Sequence, residues 1–163
     1  MVNQKYTSAD TSINVVNLVY KKFPFEKGSI ILDYGGGKYD TNQEYMASKG
    51  IKLIVFDPYN RSKTHNAQVL KRAKLGVDYI VCSNVLNVIA EPEVIREVLE
   101  TIKHLAKNKA KVVFAIYEGD KTGKGKVTTK GYQRNQKTAD YMKLINEYFD
   151  YTHKKGNLIV AFN

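Results

Sequence analysis

Cysteine is nearly absent. Cys82 stands alone among 163 residues, so neither an internal disulfide nor a multi-cysteine zinc site can form. It falls in an apolar run and reads as a buried structural thiol. His65, His104 and His153 are scattered without metal-ligand spacing, and no metal is expected. No apolar run reaches transmembrane length and no signal peptide is legible, so the expectation is a cytoplasmic chain with no membrane partner. Acids are outnumbered: 16 Asp and Glu face 26 Lys and Arg, a net charge of +10. That balance favours polyanions or acidic substrates and says nothing about fold. There is no internal repeat. The length suits one domain, 1–163, with a core that needs no covalent staples.

The stretch from residue 29 to 60 organises the rest. Ile30 to Leu32 is apolar enough for a buried strand. It runs into Asp33, Tyr34 and three glycines, Gly35, Gly36 and Gly37. Thr41 to Ser48 predicts a helix, with Thr41 and Glu44 in a capping-box pattern. Lys52 to Phe56 predicts a second buried strand, stopped by Asp57 and Pro58. The result is one βαβ unit with a right-handed crossover. Glycines at such a turn let a ligand approach the main chain. Asp57 lies 22 residues after Gly35, near the spacing of about 20 for an acid that grips a ribose diol. The dinucleotide pattern would need a glycine at position 40, where Asp40 stands. An acid there is wrong for a pyrophosphate.

Around this unit the elements follow in order. A helix over about 9–22, capped by Asp10 or Thr11, places Ile13, Val16, Val19 or Tyr20, and Phe23 on one face. Ala67 to Lys74 makes a short helix. Asp78 to Cys82 is a strand, followed by Ser83, Asn84 and Asn87. These polar groups in an apolar setting read as a site or as caps of the next helix. Glu91 to Lys107 is the strongest amphipathic helix, and Lys111 to Tyr117 the next strand. The glycine-containing loop 119–134 is basic: from 121 to 137 it carries Lys121, Lys124, Lys126, Lys130, Arg134 and Lys137, and no acid. A mobile, solvated loop and a nucleic-acid surface both fit it. Asn135 to Phe149 predicts a helix with Met142, Leu144, Ile145 and Tyr148 inward, and Phe149 to Phe162 a β-hairpin turning at Gly156.

Asp33-x-Gly35-x-Gly37, with Asp57 after the next strand, resembles the class I S-adenosylmethionine-dependent methyltransferases. A nearer likeness is to the methyltransferase domains associated with DNA phosphorothioation. It is carried by Leu32-Asp33-Tyr34-Gly35, Asp57-Pro58-Tyr59, Asn84 to Ile89, and Thr128-Thr129-Lys130-Gly131-Tyr132-Gln133-Arg134. The resemblance covers roughly Tyr6 to Asn163. It implies a Rossmann-like α/β three-layer sandwich, mostly parallel, with a C-terminal antiparallel hairpin. It also implies S-adenosyl-L-methionine as cofactor. Asp33, Tyr34 and the glycine turn would hold its methionine end, Asp57 its ribose, and Pro58 and Tyr59 its adenine. Ser83, Asn84 and Asn87 would line the sulfonium. Tyr132 and Gln133 are the catalytic candidates, closing over the acceptor and orienting it. Methyl transfer is an in-line displacement on an activated donor, so positioning supplies most of the catalysis.

Two departures are visible. Asp78 follows Asp57 by only 21 positions, which predicts a sheet trimmed by one strand. Ser83-Asn84-Val85-Leu86 is not the Asn/Asp-Pro-Pro-Tyr sequence of base-amino methylating enzymes. The acceptor and the oligomeric state stay open. Competing readings are a non-catalytic module that binds nucleic acid or a partner, and another enzyme that uses S-adenosylmethionine.

Overall fold

Three five-residue strands are buried almost end to end: β1 (Ile30–Tyr34), β3 (Tyr79–Ser83) and β4 (Lys111–Ala115). Strands of this kind must be covered on both faces, which is the condition of a parallel sheet inside helices. The computed structural model describes residues 4–7, 12–107 and 109–163, and its main sheet meets that condition. Six strands run in the order β2-β1-β3-β4-β8-β7. Here β2 is Lys52–Phe56, β7 Tyr151–Lys155 and β8 Leu158–Phe162. The β2-β1-β3-β4 block is parallel, and β8 and β7 add to it antiparallel. The mostly parallel α/β sheet with a terminal antiparallel pair is the expected architecture. β2 stays at the edge, and the chain passes from it through one helix to β3, as the short 57–78 interval required. The opposite edge, β7, is Tyr-Thr-His-Lys-Lys and largely exposed, charged in the manner that discourages further strand pairing.

Helices α1 (Leu18–Lys22) and α2 (Thr41–Ala47) pack on one face, where Val19, Tyr20 and Met46 join Ile31, Leu53, Val55 and Val81. The other face takes α3 (Lys63–Ala73), α4 (Pro92–Leu105) and α5 (Thr138–Ile145), which supply Val69, Leu99, Ile102 and Ile145. Helix α4 buries Val94, Ile95, Leu99, Ile102 and Leu105 along one stripe, as its periodicity predicts.

Several expected boundaries move, each for a local reason. The first helix does not span 9–22. It is Leu18–Lys22, capped by Asn17, whose side chain accepts from Val19 N; Asp10 and Thr11 lie outside the described residues. Residues 12–17 are irregular, and Ile13 is exposed rather than core. Helix α2 begins at Thr41, as expected, but its N-cap is Asp40 rather than Thr41. The Thr41 hydroxyl bonds Asn14 instead, so the capping box is unused. Helix α3 starts at Lys63, capped by Ser62, four residues before the expected Ala67. Its first turn is polar, so apolar periodicity alone detects only its second half. Helix α5 starts at Thr138 because Asn135 has φ 58, a left-handed conformation that stops a helix.

The basic loop holds a two-stranded ribbon, β5 (Lys126–Thr128) against β6 (Gly131–Gln133). Its base is pinned by side chains. Asn135 Nδ2 donates to Lys124 O at 3.0 Å, and Arg134 Nη1 donates to Ile89 O and Ala90 O at 3.0 and 3.1 Å.

Candidate functional site

The strand order reverses between β1 and β3: from β1 the chain turns outward to β2, and from β3 it proceeds the other way to β4. A crevice opens beyond the carboxyl ends of strands at such a reversal. The glycine turn follows β1 there, and Ser83 and Asn84 end β3. Gly35 and Gly37 take φ of 83° and 82°. Gly36 is held by space. A Cβ on it would stand 2.7 Å from Asp33 Cγ and 2.8 Å from Val55 Cγ1.

Asp57 and Arg61 fix this turn from the next loop. Asp57 is 1% exposed. Its Oδ2 accepts from Gly37 N at 2.9 Å and Asn60 Nδ2 at 3.1 Å; its Oδ1 accepts from Tyr59 N and Asn60 N at 2.9 and 3.1 Å. Asn66 of α3 closes the back. Its Oδ1 accepts from Asp57 N and its Nδ2 donates to Asp57 O. Arg61 donates from Nε to Gly37 O at 2.8 Å, from Nη2 to Tyr39 O at 2.9 Å and from Nη1 to Asp40 Oδ1 at 2.7 Å. One planar fork therefore ties both ends of the 37–40 segment. Asp40, which fills the place of a third glycine, is that fork's ion-pair partner.

Asp33 lies beneath the turn and is 3% exposed. Burial pushes its carboxyl from the usual 3.8 up to about 7; nearby Tyr20 lowers it, the Asp57 charge raises it and Arg61 lowers it. The Tyr20 hydroxyl sits beside Asp33 without completing a well-formed hydrogen bond. Burial, and then the Asp33 charge, push that phenol well up. Cys82, buried on the neighbouring strand, is a thiol pushed up by the same desolvation. It is structural, as its apolar setting implied.

Two cavities meet at Gly35 and Asp57. The first, about 150 Å3, is lined by Gly35, Gly36, Gly37, Asp57, Ser83 and Asn84, with the 12–17 strap across it. Asn17 ties that strap down, donating from Nδ2 to Ser83 Oγ at 2.8 Å and from its main chain to Asn42 Oδ1 at 2.8 Å. The second, about 260 Å3, is apolar and lies between Tyr34, Phe56, Pro58 and Tyr59 on one side and Val85 and Val98 on the other. Tyr59 is 44% exposed at its rim, its hydroxyl bonded to Gln4 Oε1 at 3.2 Å.

Most sequence-predicted residues thus converge, but three groups do not join them. Asp33 supports the turn from below and lines neither cavity. Asn87 is 1% exposed and also lines neither. It lies under the ribbon, with Nδ2 at 3.5 Å from Gln133 Oε1 and its own Oδ1 unpartnered. Tyr132 and Gln133 line a third cavity of about 390 Å3, between the ribbon and the end of β4. Sequence reasoning passed over Arg61, Asn60 and Asn17. Asn17 had a signal, a capping residue directly before Leu18. Arg61 had a weaker one, a lone cation following an acid that needed a partner.

Residues 14–161 match the model of a family described as methyltransferase domain. No curated protein matches the chain in sequence. Among solved structures it is similar to the Burkholderia thailandensis 1,6-didemethyltoxoflavin-N1-methyltransferase, solved with 1,6-didemethyltoxoflavin and S-adenosylhomocysteine bound. That likeness has a TM-score of 0.57 at 14% identity and covers 83% of this chain and 70% of that one. It is also similar to an S-adenosylmethionine-dependent methyltransferase from Aquifex aeolicus, with a TM-score of 0.54 at 15% identity over 89% and 86% of the two chains. At such identities the likeness is one of fold.

Proposed function

This chain belongs to the methyltransferase domain family, and we propose on that basis that it transfers a methyl group from S-adenosylmethionine held across the two joined cavities. The observation that carries the reading is their meeting at Gly35 and Asp57. One cavity is lined by hydroxyls, amides and main chain; the other is apolar and edged by aromatic rings. An amino-acid end and an adenine need those two environments, with a ribose between them at the acid. The donor set also fits a ligand without phosphate, since among the described residues Lys38 is the one basic side chain lining the first cavity and none lines the second. Within the family, the series Leu32-Asp33-Tyr34-Gly35, Asp57-Pro58-Tyr59 and Asn84 to Ile89 supports a place near the phosphorothioation-associated domains.

The cofactor supplies a methyl group already activated on a sulfonium. The residues supply position. Gly35 and Gly37 present main chain to the cleft, and Ser83 and Asn84 border its floor. Asp57 has about four acceptor directions on its two oxygens, and all four are in use inside the chain. To hold a ribose hydroxyl, Asp57 would have to release one of these donors, and the Asn60 side-chain amide is the one that could rotate away. The Val85 and Val98 wall and the Tyr59 rim exclude water from the adenine. Tyr132 and Gln133, in the neighbouring cavity, orient the acceptor.

Equilibrium dialysis against S-adenosylmethionine and against NAD tests this reading. Retention of the first alone is the expected outcome. Retention of NAD with rejection of S-adenosylmethionine would overturn it.

A further inference from the structure

The third cavity has its own chemistry. Its walls include Tyr117, Tyr132, Gln133, Lys126 and Lys130, with Val88 at its base. Ser83, which borders the first cavity, pairs with Ala115 in the β3–β4 register, and Tyr117 lies two residues beyond Ala115 on the neighbouring strand. Tyr117 is 59% exposed, and no aromatic contact among the described residues involves it. Tyr132 is already placed: it stacks on Tyr6 with centroids 6.0 Å apart, and its hydroxyl covers Gly125, where a Cβ would stand 1.6 Å away.

The charges are distributed unevenly. Among the described residues the ion pairs are Arg61–Asp40, Arg96–Glu147 and Lys121–Glu118. Lys124, Lys126 and Lys130 have none. Among the described residues, Asp120 is the one carboxylate that lines the cavity. Its Oδ1 accepts from Thr122 N and Oγ1 at 3.0 and 2.7 Å, and Lys126 helps to lower its pKa. Arg134 is spent on Ile89, Ala90 and Gln136. Most lysines among the described residues have no ion-pair partner, and those that line this cavity are Lys126 and Lys130. Gln133 faces it, backed by the buried Asn87 amide.

We propose that this cavity takes the methyl acceptor and that the acceptor is a nucleotide unit: a base against Tyr117, its edge met by Gln133, its phosphate on Lys126 and Lys130. An exposed aromatic face beside lysines that form no salt bridge is the chemistry that binds single-stranded nucleic acid, where each stacked base contributes about 1–3 kcal/mol and phosphate contacts make binding salt-dependent. The unit comes either from a single strand or from a free nucleotide. This inference rests on the methyltransferase reading.

Fluorescence anisotropy with labelled single-stranded DNA and RNA of mixed sequence, about 12 nucleotides long, tests it, with nucleoside monophosphates as competitors and a duplex as control. The expected result is single-strand binding that weakens about tenfold or more in Tyr117→Ala. Its salt slope falls by about two in Lys126→Gln/Lys130→Gln. Binding of the monophosphates alone, lost in the same variants, assigns the free-nucleotide source. Binding of neither, or equal duplex and single-strand binding untouched by Tyr117→Ala, overturns the proposal. Melting temperatures and retention of S-adenosylmethionine are measured on every variant. A wild-type chain that retains S-adenosylmethionine but neither nucleotide probe refutes the acceptor class alone. One that retains none of them refutes the cofactor reading as well.

Discussion

The glycine turn and the lysine ribbon are built on opposite plans. In the turn, the polar groups that hold the loop are partnered inside the chain: Asp57 accepts four hydrogen bonds and Arg61 gives three. In the ribbon, all of β5 is exposed, β6 is half-buried, and Lys124, Lys126 and Lys130 have no ion-pair partner among the described residues. The first region is organised before any ligand arrives, so it loses little entropy on binding. The second is pinned at its base by Asn135 and Arg134 and left open above. The first plan suits the cofactor, and the second leaves an open surface for the acceptor proposed above.

The sharpest way to break this contrast is Gly36→Ala. Its Cβ meets Asp33 and Val55 at 2.7–2.8 Å, so overpacking should cost about 1–3 kcal/mol and abolish S-adenosylmethionine binding. Lys124→Ala in the ribbon should stay within about 0.5 kcal/mol. Urea melts of the two variants measure the difference. Arg61→Ala comes next. Losing a charged donor to two carbonyls should cost about 1.5–3 kcal/mol of stability and weaken cofactor binding with it. Arg61→Lys should fail to restore it, because an ammonium cannot span the same three acceptors. A lysine variant with wild-type affinity would mean that only the charge matters.

Asp33 gives a prediction in pH. Its folded carboxyl titrates near 7 against an ordinary 3.8, so between those values the folded chain holds a proton that the unfolded chain has released. Stability from this group is full below about 4 and declines as pH rises towards 7. Asp33→Asn should flatten that decline in melts taken from pH 4 to 8. An unchanged slope would show that Asp33 is not the group responsible. The smallest effect is expected from Val127→Ser. Val127 is 55% exposed on β5, and the melt should shift by no more than about 0.5 kcal/mol.

What could be read from the residues follows the same division. β1, β2, β3 and α4 are legible because burial on both sheet faces, or along one helix stripe, leaves continuous or periodic apolar runs. The Gly35–Gly37 turn and Asp57 are legible because their backbone and spacing demands fall on few residue types. The start of α3 was not, because its first turn is polar and serves Asp57 through Asn66. The ribbon is not legible within the basic loop because its order comes from long-range side-chain bonds, Arg134 to Ile89 and Ala90, which no local pattern announces. Asn87 was assigned to the cofactor from its polarity near a strand end. The 3-10 turn Leu86–Val88 carries it away from that cleft, under Gln133.

Isothermal titration of the intact chain with S-adenosylmethionine, beside Asp57→Ala and Tyr117→Ala, tests the central claim most directly. Binding in the wild type and in Tyr117→Ala, lost in a folded Asp57→Ala, is the predicted result. Equal affinity in wild type and Asp57→Ala, or no heat from the wild type, would contradict a cofactor cleft centred on Gly35 and Asp57.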